Sequence, residues 1–373
     1  MNDKNAKVLE RIQTEIDKID KKASYLYFFV MDTKGNPSGS VEYVYNLALF
    51  AKEAGYNVAM VYQTQDKKEE YVGIDGWLGE KYTEIPHYNL LTDNVEIGAS
   101  DILFIPEIFF NVMNQTQNLP CKRVAIMQNF DHILAQTPFS TQWGNVKILD
   151  AIVNTEENEA LLKSIFPYVK TTVVHPFINK MFGETKEPKK LMVNIISRDP
   201  DDTTRIAKPF YWKYPLMKWI TFRDLRGYSK QDFATKLRES PITIWIDDEA
   251  SFGYSPLEAL QSGNIVFAKI PNETKSWMMD KDGKNLNKSF LWFNNINDIH
   301  ENLMRIIRSW IIDNIDYDKM FEDKDEVLSR FSEEKSREEF INFVEDTLDK
   351  RKTDMEAMYK MIEAKKEDND NAE

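Results

Sequence analysis

The stretch PITIWIDDEASFGYSPLEALQSGNIVFAK, residues 241–269, constrains the fold of this chain most tightly. ITIWI is rich in β-branched and aromatic residues and reads as a buried strand. Small residues follow (Ser251, Gly253, Ser255), then Pro256, which fits the first turn of a helix because its missing N–H would have no partner there. Leu257, Ala259, Leu260 and Gln261 continue as helix, Gly263 stops it, and IVFA at 265–268 is a second strand. Strand, turn, helix and strand at this spacing make one βαβ unit of a parallel sheet. The turn at the carboxyl end of such a strand is where open α/β sheets bind ligands. A helix start there offers unpaired N–H groups and a positive dipole end, which suit a phosphate. A plain packing unit reads the same way from this stretch alone.

The same alternation runs through most of the chain. After an amphipathic helix over 5–22, with Leu9, Ile12, Ile16 and Ile19 on one stripe, strands are expected at 25–31, 57–63, 101–107, 123–129, 151–155 and 171–177. Helices are expected over 41–55, with Ser38 or Ser40 as N-cap and Gly55 at its end, and over 156–165. NKMFGETKEPKK (179–190) is charged, carries Gly and Pro, and reads as a linker. Alternation restarts at LMVNIIS (191–197), continues through WITFRDL, a helix over 230–239, ITIWI and SFLWF, and gives way to helices over 297–315 and 331–352. The last residues, AKKEDNDNAE, are polar and expected to fray. Strands with solid apolar runs indicate parallel sheets covered on both faces. The expected class is α/β: two Rossmann-like doubly wound domains, at 1–183 and 184–315, with a C-terminal helical segment at 316–373. A cleft between two such sheets is a natural ligand site.

With 373 residues and 42% hydrophobic content, the chain can bury more than one domain core. A formal net charge of −13 argues against a broad basic surface for nucleic acid, though not against a local patch. KPFYWKYPLMKW (208–219), where Lys and aromatic residues interleave, fits either such a patch or a helix with snorkelling lysines. The single cysteine, Cys121, forms no internal disulfide, and the charged N-terminus has no signal-peptide pattern; a reducing cytoplasm is the expected location. No apolar run approaches the ~20 residues of a membrane span. The four histidines (His87, His132, His175, His300) lack the i, i+4 pairing of a zinc helix, so no metal is expected.

In order and spacing, several segments resemble the GT-B glycosyltransferases, in the retaining group that includes glycogen synthases and bacterial lipopolysaccharide mannosyltransferases. SFGYSPLEALQSGNIVFAK is similar to that family's E-G-F-G-L-x-x-L-E-A-x-A-x-G-x-P-V-V-A signature. PSGSVEYVYNLALFAKEAGYNVAMV resembles its N-terminal Gly-pair motif, with Ser38-Gly39 in place of the pair. TVVHPFIN, IISRDPDD…RIAKPF and FSEEKSREEF resemble its interdomain turn, the opening of its donor domain and its final crossing helix.

The resemblance implies a nucleotide-sugar donor, a UDP- or GDP-sugar, bound by the second domain. It implies an acceptor, such as a glycan, a lipid-linked sugar or a modified DNA base, at the first. Glu258 matches the carboxylate that grips the nucleotide ribose, and a carboxylate can accept from both hydroxyls of a vicinal diol. Backbone N–H groups near Gly253, Tyr254 and Ser255 match the diphosphate contacts. Arg198 and Lys208 match the basic pair that stabilises the leaving diphosphate, with Arg205 as a substitute for Lys208. For Arg198, which precedes Asp199, Asp201 and Asp202, a structural ion pair is the rival reading. The family's first Glu falls at Ala250; Glu249, one position earlier, is the nearest carboxylate for the donor sugar. In the first domain, MQNFDH places Asn129, Asp131 and His132 after a strand, where the family carries a histidine facing the reacting sugar. Asp131 could instead cap a helix. Glu107 is another strand-end carboxylate, and His175 reads as structural. The resemblance implies sugar transfer with retention. Glycosylation of DNA bases and a noncatalytic nucleotide- or sugar-binding scaffold are the competing readings.

Overall fold

The computed structural model describes residues 2–31, 33, 35–63, 77–248, 252–272 and 274–370. These form two compact units. The first takes the described residues of Met1–Asp75, Gly79–His175 and Arg337–Glu373; the second takes those of Gly76–Leu78 and Pro176–Ser336.

The first unit begins with α1 (Asn2–Asp20), whose stripe of Leu9, Ile12, Ile16 and Ile19 is buried. There follow β1 (Tyr25–Phe29), α2 (Gly39–Glu53), β2 (Asn57–Tyr62), β3 (His87–Asn89), β4 (Ile102–Pro106), α3 (Phe110–Gln115), β5 (Lys122–Met127), α4 (Phe130–Gln136), β6 (Asp150–Val153), α5 (Glu156–Ile165) and β7 (Lys170–Val173). The strands are parallel, in the order β3-β2-β1-β4-β5-β6-β7. Period-2 alternation sends Tyr27, Phe29, Leu103, Ile105, Ala125 and Met127 to one face, against Trp143, Leu162 and Phe166. Residues between them, such as Phe28 and Phe104, are fully buried on the other face. Ser38 caps α2, its Oγ accepting from Val41 N, and Gly55 lies just past the helix at φ 87°, where its missing Cβ removes the penalty.

The second unit runs β8 (Met192–Ser197), α6 (Asp202–Lys213), β9 (Thr221–Asp224), α7 (Lys230–Glu239), β10 (Ile242–Ile246), α8 (Tyr254–Gln261), β11 (Ile265–Lys269), β12 (Phe290–Phe293), α9 (Ile299–Ile311), α10 (Tyr317–Met320) and α11 (Lys324–Ser329). Its parallel sheet has the order β12-β11-β10-β8-β9. Ile242, Ile244 and Ile246 pack with Ile206, Phe210, Leu303 and Ile307 on one face. Trp245, Val266 and Ala268 pack with Leu237, Leu257 and Leu260 on the other. Both faces are thus covered, as strands without polar alternation require. The aromatic-basic segment 208–219 lies on α6 and the loop after it: Phe210 anchors it in the core, and Lys213 pairs with Glu301 at 2.7 Å beside the Tyr214 ring.

The last helix, α12 (Glu333–Asp370), joins the first unit from Arg337 onward. Phe340, Phe343, Val344 and Leu348 are buried, and the Phe340 ring lies 6.1 Å from Phe28 and 5.7 Å from Phe104. Glu339 accepts from the backbone N–H of His175 at 2.8 Å and meets its ring Nδ1 at 2.9 Å, while Nε2 lies 2.9 Å from Glu156. Burial alone would lower the His175 pKa, but the two carboxylates outweigh it and raise the ring to about 9.

Two expectations are corrected. The strand over 171–177 ends at Val173, opposite Val153, the last residue of its partner β6. The polar tail stays helical to Asp370, since Ala, Lys and Glu are strong helix formers.

Candidate functional site

In the second unit, strand order reverses between β8 and β10, so the carboxyl ends of those strands form the switch point at which such sheets bind ligands. The turn after β10 enters α8 through Gly253, at φ 88°. A Cβ there would strain the backbone and lie 3.1 Å from Trp277 Cζ2, a tight contact that the indole would have to relieve by a small shift. Trp277 pins the turn by donating its indole N–H to Phe252 O at 2.6 Å. Tyr254 and Ser255 are the first two residues of α8, whose opening N–H groups precede an intrahelical partner. At the far end of α8, partly buried Lys189 donates to the carbonyls of Ser262 and Gly263, each at 2.7 Å, and desolvation lowers its pKa to about 8.

One turn into α8, Glu258 is buried and paired with Lys230, the first residue of α7; their side chains are 3% and 13% exposed. The ammonium also sits 5.7 Å from the Tyr254 ring centroid. Lys230 is absent from the sequence reading, which took 230–239 only as a helix. The available signal was its position: a cation directly after the Ser229 cap, at the carboxyl edge of a parallel sheet.

Arg198 follows β8 and donates through Nε to Asp247 Oδ2, at the end of β10, at 2.9 Å. Its side chain is 65% exposed, and its terminal amino groups make no hydrogen bond among the described residues. Arg205 is held by Asp199 at 2.5 Å and Asp202 at 3.0 Å. Lys208 lies exposed farther along α6, without an ion-pair partner among the described residues. Arg198 and Lys208 are not joined by a common partner. Lys269 pairs with Asp248. Glu249, like Ala250 and Ser251, lies outside the described residues. Anionic ligand oxygens at this edge would therefore compete with carboxylates for cations already in place.

In the first unit the reversal lies between β1 and β4. Glu107, after β4, is 2% exposed; its Oε1 accepts from Asn129 N at 3.0 Å and meets His132 Nδ1 at 3.0 Å. Its Oε2 is buried without a hydrogen-bond partner. Gln128 donates to Ser40 O at 3.0 Å, tying the end of β5 to the first turn of α2, where Gly39 is exposed. Glu107, Asn129 and His132 thus form one cluster. Asp131 stands outside it, exposed in the first turn of α4, and the cap is Asn129, whose Oδ1 accepts from Asp131 N at 3.0 Å.

No family model matches the chain. An α-1,6-glucosyltransferase of Actinobacillus pleuropneumoniae serotype 7 is 22% identical over 184 residues, 47% of this chain and 54% of that protein, so the chain spans about half the length of this curated relative. S. aureus TarM, solved as a point mutant with Fondaparinux, α-GlcNAc-glycerol and UDP, superposes with a TM-score of 0.62 at 10% identity, covering 86% of this chain and 99% of TarM. A glycosyltransferase of Rickettsia africae gives 0.60 at 13% identity over 87% of this chain and 98% of its own. Anabaena HepE, solved with UDP-glucose, gives 0.59 at 12% over 86% and 99%. No helix among the described residues is long and apolar enough to cross a membrane. With its two doubly wound parallel sheets and these likenesses, the chain has the GT-B fold of the glycosyltransferases.

Proposed function

We propose that the chain transfers a hexosyl group from a UDP-sugar to an acceptor hydroxyl, with retention at the anomeric carbon. The observation that carries this reading is the buried Lys230–Glu258 pair beside the glycine turn and the start of α8. Two of the similar structures were solved with UDP or UDP-glucose, and the curated relative is named for an α-linked glucosyl product.

In this reading Glu258 accepts from the ribose hydroxyls, and Lys230 holds it in place. The N–H groups of Tyr254 and Ser255 face the diphosphate, and Gly253 lets the backbone approach it. The C1–O bond to the diphosphate breaks as the acceptor oxygen bonds to C1, and the acceptor proton passes to a diphosphate oxygen. Arg198, through its uncommitted amino groups, and Lys208 or Arg205 stabilise the charge that develops on the leaving group. We assign Glu249 to the donor-sugar hydroxyls, and His132, oriented by Glu107, to the sugar side of the reaction in the first unit. Asn129, Asp131 and Gly39 border that edge.

The test is slow donor hydrolysis. Incubated with a panel of UDP-, GDP- and ADP-hexoses, the protein should release free nucleoside diphosphate from a UDP-hexose in preference to the others. Preferential release from a GDP-hexose would reassign the nucleotide, and release from none would remove the transferase reading.

A further inference from the structure

We infer that the first unit carries a second anion site, for a small phosphorylated molecule, at the amino end of its sheet, the end opposite the Glu107 cluster. A cavity of about 370 Å³ opens there, and Lys122, Arg123, Lys147 and Arg351 line it. That volume lies in the range of small-molecule pockets, ~300–1,000 Å³.

The charge balance of this cavity is unusual for a chain of formal net charge −13. Of the four cations, Lys122 alone has a carboxylate partner among the described residues, Asp150. Arg123, 6% exposed, donates to the carbonyls of Met113 at 2.8 Å, Val146 at 2.9 Å and Lys147 at 3.2 Å. Arg351 donates to Ala99 O at 2.8 Å and to Pro120 O, and Lys147 reaches Gln117 O at 3.4 Å. Carbonyl dipoles satisfy hydrogen-bonding capacity but leave net charge uncompensated, and a buried guanidinium without a counter-ion is costly. Burial accordingly lowers the Arg123 pKa. The nearby carboxylate of Asp101 is engaged by the backbone N–H groups of Tyr25 and Gly98.

Lys147 also holds φ 58°, a left-handed conformation that glycine or asparagine would adopt more cheaply. Arg351 Nη1, which makes no hydrogen bond among the described residues, and the two ammonium groups offer donors to the several oxygens of a phosphoryl group, beside the buried Arg123 charge. Leu119, Pro120 and Leu149 give the cavity an apolar wall for the remainder of a ligand.

Hydrogen exchange read by mass spectrometry tests this locally. Inorganic pyrophosphate and a hexose monophosphate are each titrated at constant ionic strength. Either should slow amide exchange in peptides covering 117–123 and 147–150, and should do so equally in Arg198→Ala, which separates this site from the donor site. Lys147→Asn removes the charge while easing the backbone conformation, and Arg351→Gln removes a guanidinium. Each should raise the half-saturating concentration about tenfold, the scale of one charge-assisted hydrogen bond, while exchange elsewhere stays that of the parent protein. No local slowing with either anion, or slowing unaffected by both substitutions, would overturn the site. Slowing by phosphatidylglycerol vesicles without slowing by the soluble anions would overturn the small-molecule ligand in favour of a lipid headgroup.

Discussion

Glu258 and Lys230 bear the most directly on function. An ion pair this buried gains little net stability, because desolvation offsets most of its attraction, whereas removing one partner strands the other charge at a cost of about 3–5 kcal/mol. Glu258→Ala would therefore confound binding with folding, and Glu258→Gln is the cleaner substitution because it keeps shape and one acceptor. Glu258→Gln still leaves the Lys230 charge without its carboxylate, so it should lower the melting temperature while the protein stays folded, and should weaken UDP binding about tenfold, as read by calorimetry of both. At Arg198 the outcome differs. Its Asp247 contact is exposed and worth little, so Arg198→Ala should leave stability intact and lower kcat more than nucleoside affinity, because its partner in the reaction is the diphosphate. Parent-like transfer rates in steady-state kinetics would return Arg198 to a surface role. Glu249→Ala should cut transfer by about tenfold, roughly 1.4 kcal/mol of barrier, and spare UDP affinity. Kinetics matching the parent would point Glu249 elsewhere.

Among elements, the βαβ unit of β10, α8 and β11 was the most legible in the sequence, because three independent signals agreed: an apolar run, Pro256 near a helix start and Gly263 at its end. The α5 and α7 helices match their expected ranges, because Thr155 and Ser229 cap them through side-chain oxygens. β3 was not legible: three residues, HYN, carry no periodicity and depend on pairing with β2. Site partners were less legible than elements. Asp247, Lys230 and Glu339 meet Arg198, Glu258 and His175 across long stretches of chain, and no spacing rule encodes such contacts. Glu339 and Glu156 make the attachment of α12 pH-sensitive through His175. The ring's folded pKa, about 9, exceeds the ordinary 6.5, so its stabilisation is full below 6.5 and is lost as pH rises through about 9. Urea denaturation across that window should show falling stability in the parent and a flatter profile in His175→Gln. Equal slopes would remove the switch from His175.

At the scale of the whole molecule, two sheets with different strand orders each place polar side chains at their own switch point. The donor-side chemistry proposed here uses a helix start and cations, so transfer should persist in excess EDTA; full loss restored by Mg²⁺ or Mn²⁺ would contradict that part of the account. The central claim, that the carboxyl edge of the second sheet is a nucleotide-sugar site, is tested most directly by titrating UDP into the parent protein and into Glu258→Gln by isothermal calorimetry. The account predicts one saturable UDP site in the parent, weakened about tenfold in the variant while its fold is retained. Equal affinity in the two proteins, or no UDP binding by the parent, would contradict it.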